Sequence, residues 1–474
     1  MITDQRAQAG SQLALLALEG MGLILLALLL FQIFWTGRGS YLLAAILAGV
    51  SAALILQKPH WGVLITFTAW FVGFSPRLFG TRYLSVPYLV SAVLIVPLAL
   101  SVLRDRRIWV WRVPQVKIFF GIGILFLVSA WWAYYQHPIT LLPSLDRTAQ
   151  AIQTFFTRLA FLIFFLYFIT TRRRIELTVW LVLGLIVTAA MTALFRFLAA
   201  GGVERAGAAF SLATNPNRLA FICLFATSLL WFYRCYGNGH VQAWKTLTTP
   251  ILFVLPLVTL ATGSRSGFLQ LVILTALLLK EQEDWSAGKR VRSFFLLGTV
   301  TCFLWAAVPT AQFMRATTFD ATEQGPGRGS LNNRINRITA LLEIASSNPL
   351  LGIGIGNFRW MNQAFYGNDR GSHNSYLGAL AEGGIGVLVL YLLLFYSTYR
   401  MLKNLERAGP QELLWLSKGL RVNLILFLVF SAFADFWLSD FLYLMVGLTV
   451  AMTDLGQRPD DRLGSMVHSV RVPT

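Results

Sequence analysis

Long apolar runs, separated by short polar or basic breaks, dominate the chain. A hydrocarbon core about 30 Å thick is spanned by ~20 apolar residues of helix. Runs of that kind lie near 13 to 35, 40 to 56, 61 to 76, 84 to 103, 117 to 135, 155 to 170, 177 to 198, 218 to 234, 249 to 263, 266 to 280, 293 to 309, 374 to 397, 421 to 436 and 439 to 453. The pattern predicts an all-α, polytopic membrane protein of about 12 to 14 transmembrane helices. The run 61 to 76 and the pair around Gly263 are short, which suits re-entrant or strongly bent segments. The opening MITDQRAQAG leads into an apolar stretch that continues to about Trp35. That is too long for a signal-peptide core, and it reads as the first membrane helix.

One segment breaks the rhythm of short connections. Residues 310 to 372 are polar and contain Gly and Asn, and loops of this length are usually functional when ordered. Within it the spacing predicts a helix over 331 to 347, capped by Ser330, with Leu331, Ile335, Ile338 and Leu342 as one apolar stripe. Asn348 and Pro349 end it. Such a helix lies on the bilayer or on the bundle, with Arg334 and Arg337 about one turn apart beside the stripe. The expected organisation is helices over 1 to 309, this loop, further membrane helices over 373 to 453 and a tail over 454 to 474.

Composition agrees, with 56% hydrophobic and only 13% charged residues among 474, against about 25% charged in ordinary globular chains. A soluble enzyme of this size is thereby excluded. The net charge of +18 alone would fit a nucleic-acid binder, but a basic membrane protein carries its excess in loops facing the cytoplasm and anionic headgroups. Basic clusters at Arg104 to Arg112 with Lys117, Arg172 to Arg174, Lys280 to Arg292 and Arg400 to Arg421 fall on one side if the helices alternate. The positive-inside rule makes that side cytoplasmic, with both termini. All seven lysines fall there too, leaving arginine alone on the outer face, where its planar fork suits phosphate. The three cysteines sit in or beside apolar runs, and no His pair has metal-ligand spacing, so neither a disulfide framework nor a metal site is expected.

Four outward clusters hold candidate chemistry. TNPNRLA, 214 to 220, opens a helix with Asn215 or Asn217 as cap and Arg218 at its mouth, and Arg205 lies upstream. TGSRSG, 262 to 267, sits between two apolar runs; Gly263 and Gly267 permit a tight turn, and Arg265 is costly there unless it pairs or meets water. Arg334 and Arg337 are followed by PLLGIGIGNF, 349 to 358, whose glycines lack the dinucleotide fingerprint and instead suggest a tight turn re-entering the membrane face. SHNSYL, 372 to 377, starts a helix running through AEGGIGVLVLYLLLF. Its His373 is placed to act as general base, with Asn374 and Ser375 beside it. Glu382, about 13 Å deeper along the helix, is expected to pair internally or help orient the site.

Taken in order, the Asn-Pro-Asn entry, SRSG before an apolar helix, Arg334 ahead of PLLGIGIGNF, and HNSYL followed by AEGG resemble the O-antigen ligase and O-antigen polymerase superfamily over roughly residues 205 to 395. One departure is that Gly386 follows Gly384 by two residues, and Val387 stands where the family often has glycine. The resemblance implies a GT-C-like fold with one large periplasmic loop. It implies transfer of a glycan from an undecaprenyl diphosphate carrier to an acceptor sugar hydroxyl, with neither metal nor nucleotide sugar nor other cofactor. Arginines matching Arg265 and Arg334 would hold the diphosphate, and the histidine matching His373 would activate the acceptor.

The expectation is therefore a glycosyltransferase of the bacterial inner membrane with its site facing the periplasm. His373 is the base and Arg265, Arg334, Arg337, Arg205 and Arg218 are diphosphate ligands, supported by Asn374, Ser375 and Glu382. The acceptor is the lipid A core in a ligase or a growing glycan in a polymerase; membrane lipids are partners and nucleic acid is not. A transporter is the rival from another class, but transporters place ionisable groups near the midplane, whereas these gather at outer helix ends.

Overall fold

The computed structural model describes residues 41–73, 86–105, 109–136, 142–201, 206–207, 213–237, 242–281, 288, 328–367 and 371–457. The expected spans at 13 to 35 and 293 to 309, and the tail beyond 457, lie outside them. Among the described residues there are helices and turns but no strand. Seven helices are long and apolar enough to cross a membrane, and the chain is an all-α, multi-pass membrane protein.

The chain divides into two units, Met1–Arg107 with Glu176–Leu185, and Ile108–Ile175 with Ile186–Thr474. In the first, helices α1 (Tyr41–Gln57), α2 (His60–Val72) and α3 (Val86–Asp105) pack together. Leu94 and Ile55 close on Gly62, where even a methyl group would be crowded.

The second unit contains α4 (Trp109–Arg112), α5 (Pro114–Gln136), α6 (Leu142–Phe168), most of α7 (Arg172–Ala199), α8 (Pro216–Tyr236), α9 (Gln242–Ala261) and α10 (Arg265–Lys280). It continues with α11 (Arg328–Ser347), α12 (Phe358–Tyr366), α13 (Ser375–Ala408), α14 (Leu414–Ser431) and α15 (Asp440–Gln457). Its centre is α8, buried continuously from Leu219 to Leu230 and packed by α9, α10 and α14. Between apolar helices in lipid there is little hydrophobic drive, so association rests on close packing and small residues. Gly267 of α10 lies against Ala220, Gly419 of α14 against Leu229, and Gly447 of α15 against Phe165. Phe221 adds an aromatic knot with Phe427, Phe430, Phe436 and Phe441, each such pair worth about 0.5–1.5 kcal/mol.

One expectation about α11 is corrected. The helix begins at Arg328, so Ser330 lies inside its first turn and does not cap it. Of the two seats open to the predicted stripe, bilayer or bundle, it does not take the bundle: Ile335 is 52% and Leu342 50% exposed. The buried face is Arg337, Ala340, Leu341, Ile344 and Ala345, which meets Phe358 and Ala381 with Leu377, Leu380 and Met361. Both faces have helical spacing; the smaller one fits because alanine lets α11 approach α13 closely.

The glycine-rich run after α11 is indeed a tight turn. Gly352, Gly354 and Gly356 all have positive φ, a region open to glycine at little cost. The turn wedges against a break in α13, where Gly384 adopts φ 73° and ψ −176°. Backbone groups released by the break are taken up locally: Ile353 N donates to Ala381 O (2.9 Å), Ile385 N donates to Pro349 O (2.9 Å), and the Ser129 hydroxyl donates to Glu382 O.

Candidate functional site

The turn and the broken helix frame a cavity of about 350 Å³ in the second unit. Arg158 of α6, Arg218 of α8 and Arg359 of α12 line it, facing Glu382 of α13, Asp435 of the α14–α15 connection and Asp440 at the start of α15. Each is held by local geometry. Asn215 caps α8 by accepting from Asn217 N (2.9 Å), with Pro216 in the first turn, and Arg218 then lies over the Phe436 ring, 5.4 Å from its centroid. Arg158 pairs with Asp440 at 2.5 Å.

Glu382 has a double task. Its Oε1 accepts from Phe358 N (3.1 Å), occupying the N-terminus of α12, whose own N-cap Asn357 makes no side-chain cap bond. A carboxyl oxygen there satisfies an orphan N–H of the helix. It thereby fixes the first turn of α12, which carries Arg359. Glu382 pairs internally as expected, and it also lines the cavity.

The HNS motif is built around Asp435. Asn374 caps α13, accepting from Tyr376 N (3.0 Å) and Leu377 N (2.9 Å). Ser375 donates to Ala434 O (2.7 Å) and accepts from Phe436 N (2.9 Å), bracketing Asp435 from both sides. His373 is the one non-glycine residue with positive φ among the described residues, at 52°. Strain of this kind, about 1–3 kcal/mol, persists where the surroundings enforce it and clusters at functional sites. Two residues earlier, Gly371 lines the cavity so close to Asp435 that a Cβ would stand 3.0 Å from its Oδ2. Arg337, only 3% exposed, reaches Gly371 O at 3.5 Å, so α11 anchors this strand of chain. The walls of the cavity withdraw bulk water from Asp435 and push its carboxyl above the ordinary aspartate range, against the pull of Arg218, Ser372 and Trp437.

Of the expected site residues, Arg218 and Glu382 line the cavity and Ser375, Asn374 and Arg337 hold its wall, while His373 follows the lining residue Gly371 by two positions and is not itself among the lining residues. Arg265 occupies the first turn of α10 and is not among the lining residues. It is tied to the Arg218 segment because Ser264, which caps α10 by accepting from Gly267 N, donates to Asn217 Oδ1 (2.8 Å). The backbone of Arg334 is in α11; its side chain and the whole of Arg205 lie outside the described residues. Residue-by-residue reading passed over Arg158, Arg359, Asp435 and Asp440. Arg158 carried a usable signal, a charge within an apolar run, and so did the two acids spaced through FADFWLSDF. Arg359 carried none, since its place follows from the glycine turn.

The cavity sits at the ends where α8, α13 and α15 begin, whereas Lys280 and Arg407 stand in the last turns of α10 and α13. There Lys418 and Arg421 bond Glu281, and Arg421 also bonds Glu406. Among the described residues no three His, Cys, Asp or Glu side chains gather as a metal site would require.

Residues 250–392 match the family model described as O-antigen ligase. Over these residues, under a third of the chain, the protein is similar to the O-antigen ligase family. A search of curated proteins finds no match to it. The matched segment runs from α9 through the kink of α13 and so includes the SRSG turn, α11, the glycine turn, α12 and the HNS motif. The family implies a glycosyltransferase-like ligase or polymerase acting on a lipid-linked glycan and a glycan acceptor.

Proposed function

We propose that this protein transfers a glycan from an undecaprenyl diphosphate carrier to a sugar hydroxyl of the lipid A core, at the periplasmic face of the bacterial inner membrane. The observation that carries the reading is the convergence of Arg158, Arg218 and Arg359 with Asp435 in one cavity, near the start of α13, while Arg407 and the Glu406–Arg421–Glu281 cluster lie at the end of that helix. Short basic loops favour the cytoplasm, which supports an assignment of that end to the inside and of the cavity to the outer side, where a lipid-linked donor would present its headgroup.

In the proposed reaction the acceptor hydroxyl oxygen attacks the anomeric carbon, and the bond from that carbon to the diphosphate breaks. The electron pair leaves with undecaprenyl diphosphate, and the hydroxyl proton passes to the His373 imidazole. Arg218 and the neighbouring Arg265 segment meet the negative charge that grows on the leaving group, with Arg334 and Arg205 as further ligands. Fixed cations in a water-poor site are the effective means of doing so. Arg337 acts by holding the His373 segment, Glu382 by aiming α12, and Asn374 and Ser375 by fixing the start of α13. A base positioned in this way is worth typically 10² to 10⁴ in rate.

Purified protein given a lipid-linked glycan and lipid A core should form the conjugate. His373→Ala should lose about 10²-fold or more of that rate while eluting as the same monodisperse species. Full activity in that variant would sink the role of the histidine. Elongation of the donor glycan in place of core modification would make the enzyme a polymerase using the same cavity.

A further inference from the structure

A second cavity of about 370 Å³ adjoins the first and is the more open of the two. Ala151, Gly356, Arg359 and Leu438 line both, so they form a shared wall. The charge of the two lobes differs. The inner lobe sets Arg158, Arg218 and Arg359 against Glu382, Asp435 and Asp440, three cations and three acids. The outer lobe is lined by Arg147 and Arg359 with the neutral polar groups of Gln150 and Thr154, and by no acid.

This outer lobe is held in shape. Arg147, Gln150, Ala151 and Thr154 follow one another at helical spacing along one face of α6. The Thr148 hydroxyl bonds Asn357 Oδ1 at 3.0 Å, tying the N-cap of α12 to α6 and so fixing Arg359 relative to Arg147. Gly356, with φ 84°, passes so close to α6 that a Cβ would stand 2.9 Å from Arg147 O; only glycine leaves the shared wall open there. Two planar guanidinium groups presented by separate elements to one polar hollow make a fork for a phosphate or carboxylate.

We infer that the outer lobe is the acceptor subsite and that it selects acceptors bearing a phosphate or carboxylate beside the reacting hydroxyl. The inference rests on the transferase reading above, in which the inner lobe takes the donor. An acceptor seated in the outer lobe meets the donor sugar across the shared wall, and the wider opening leaves room for the rest of its glycan.

The test uses the full-length protein, a lipid-diphosphate-linked donor, and lipid A core oligosaccharide either with its phosphates or after their removal by hydrofluoric acid. Dephosphorylation should raise the acceptor KM about tenfold. Arg147→Gln should raise KM for the phosphorylated acceptor by a similar factor while leaving KM for the donor and for the dephosphorylated acceptor within about twofold. Arg147→Lys, which keeps the charge and loses the fork, should fall between. A rise in donor KM on Arg147→Gln would overturn the assignment, because the lobe would then hold the donor. Equal use of both acceptors by wild type and variant would overturn it too. Calorimetric titration of the phosphorylated oligosaccharide without donor separates this inference from the reaction itself. About tenfold weaker binding to Arg147→Gln supports the subsite even if no transfer occurs, and equal binding rejects it.

Discussion

At the residue scale, the site depends less on isolated reactive groups than on short polar residues that aim them. Ser375 contributes no chemistry of its own, yet both of its bonds go to the backbone on either side of Asp435. Ser375→Ala would leave two buried backbone groups without that partner, a cost of about 1–3 kcal/mol, and would let Asp435 drift from Arg218. The expected outcome is a lower Tm in detergent together with a fall in kcat. Asn374→Ala should cost about 0.5–2 kcal/mol for the lost cap, and its cap can be restored by Asn374→Asp or Asn374→Ser. If Ser375→Ala changed Tm with no change in kcat, Asp435 would have no part in turnover. Motif-bearing residues such as Asn215, Asn374 and Arg218 were legible in the sequence because caps and helix mouths are local arrangements. Arg359 was not, because a glycine turn brings it to the cavity; Asp435 carried the signal of an acid among apolar residues, but its closeness to Arg218, far from it in sequence, is a tertiary arrangement.

At the scale of elements, apolar runs marked nearly every described helix, since membrane-crossing length is a property of about 20 consecutive residues. The seat of α11 stayed open for the opposite reason: Ile335, Ile338 and Leu342 make a good stripe, but which of two stripes is buried is decided by the shape of α12 and α13. The break in α13 is likewise a tertiary device. Gly384 has a backbone conformation essentially reserved for glycine, and a Cβ there would stand 2.0 Å from Leu350 O. Strain of about 1–3 kcal/mol would add to a clash with backbone that has nowhere to move. Gly384→Ala should therefore lose most of its monodisperse yield. Gly201 provides the control, with φ 65° but nothing within 4 Å of an added Cβ. Gly201→Ala should cost only about 1–2 kcal/mol and keep full yield. Equal behaviour of the two variants would mean that the glycine turn does not lock against α13.

At the scale of the whole molecule, the two ends of the second unit use charge differently. Around the cavity, arginines face a hollow of the size a ligand would fill. At the basic end, cations are matched to acids: Glu281, just past α10, joins Lys418 (2.9 Å) and Arg421 of α14, and Arg421 also joins Glu406 of α13. The basic clusters in the sequence announced an end rich in cations; Glu281, which neutralises part of it, is separated from Lys418 and Arg421 by more than a hundred residues and became visible as their partner only in three dimensions. Burial alone would raise the Glu281 carboxyl, but hydrogen bonds and charge from Arg421 and Lys418 outweigh it and hold the group below the ordinary glutamate range. A carboxyl depressed by folding stabilises the native state above its unfolded pKa, about 4.3, and that contribution fades as pH falls through the lower folded value. Tm in detergent should therefore lose this contribution only below about pH 4.3. Removing one member of a partly buried cluster leaves cations unmatched, so Glu281→Gln should cost about 1–3 kcal/mol at pH 7 and shrink the acid-dependent drop. The side chains of Glu281, Lys418 and Arg421 are only 12% to 17% exposed, so added salt should weaken the effect less than it would for a surface pair. An acid profile identical in wild type and Glu281→Gln would show that the cluster does not hold α10, α13 and α14 together.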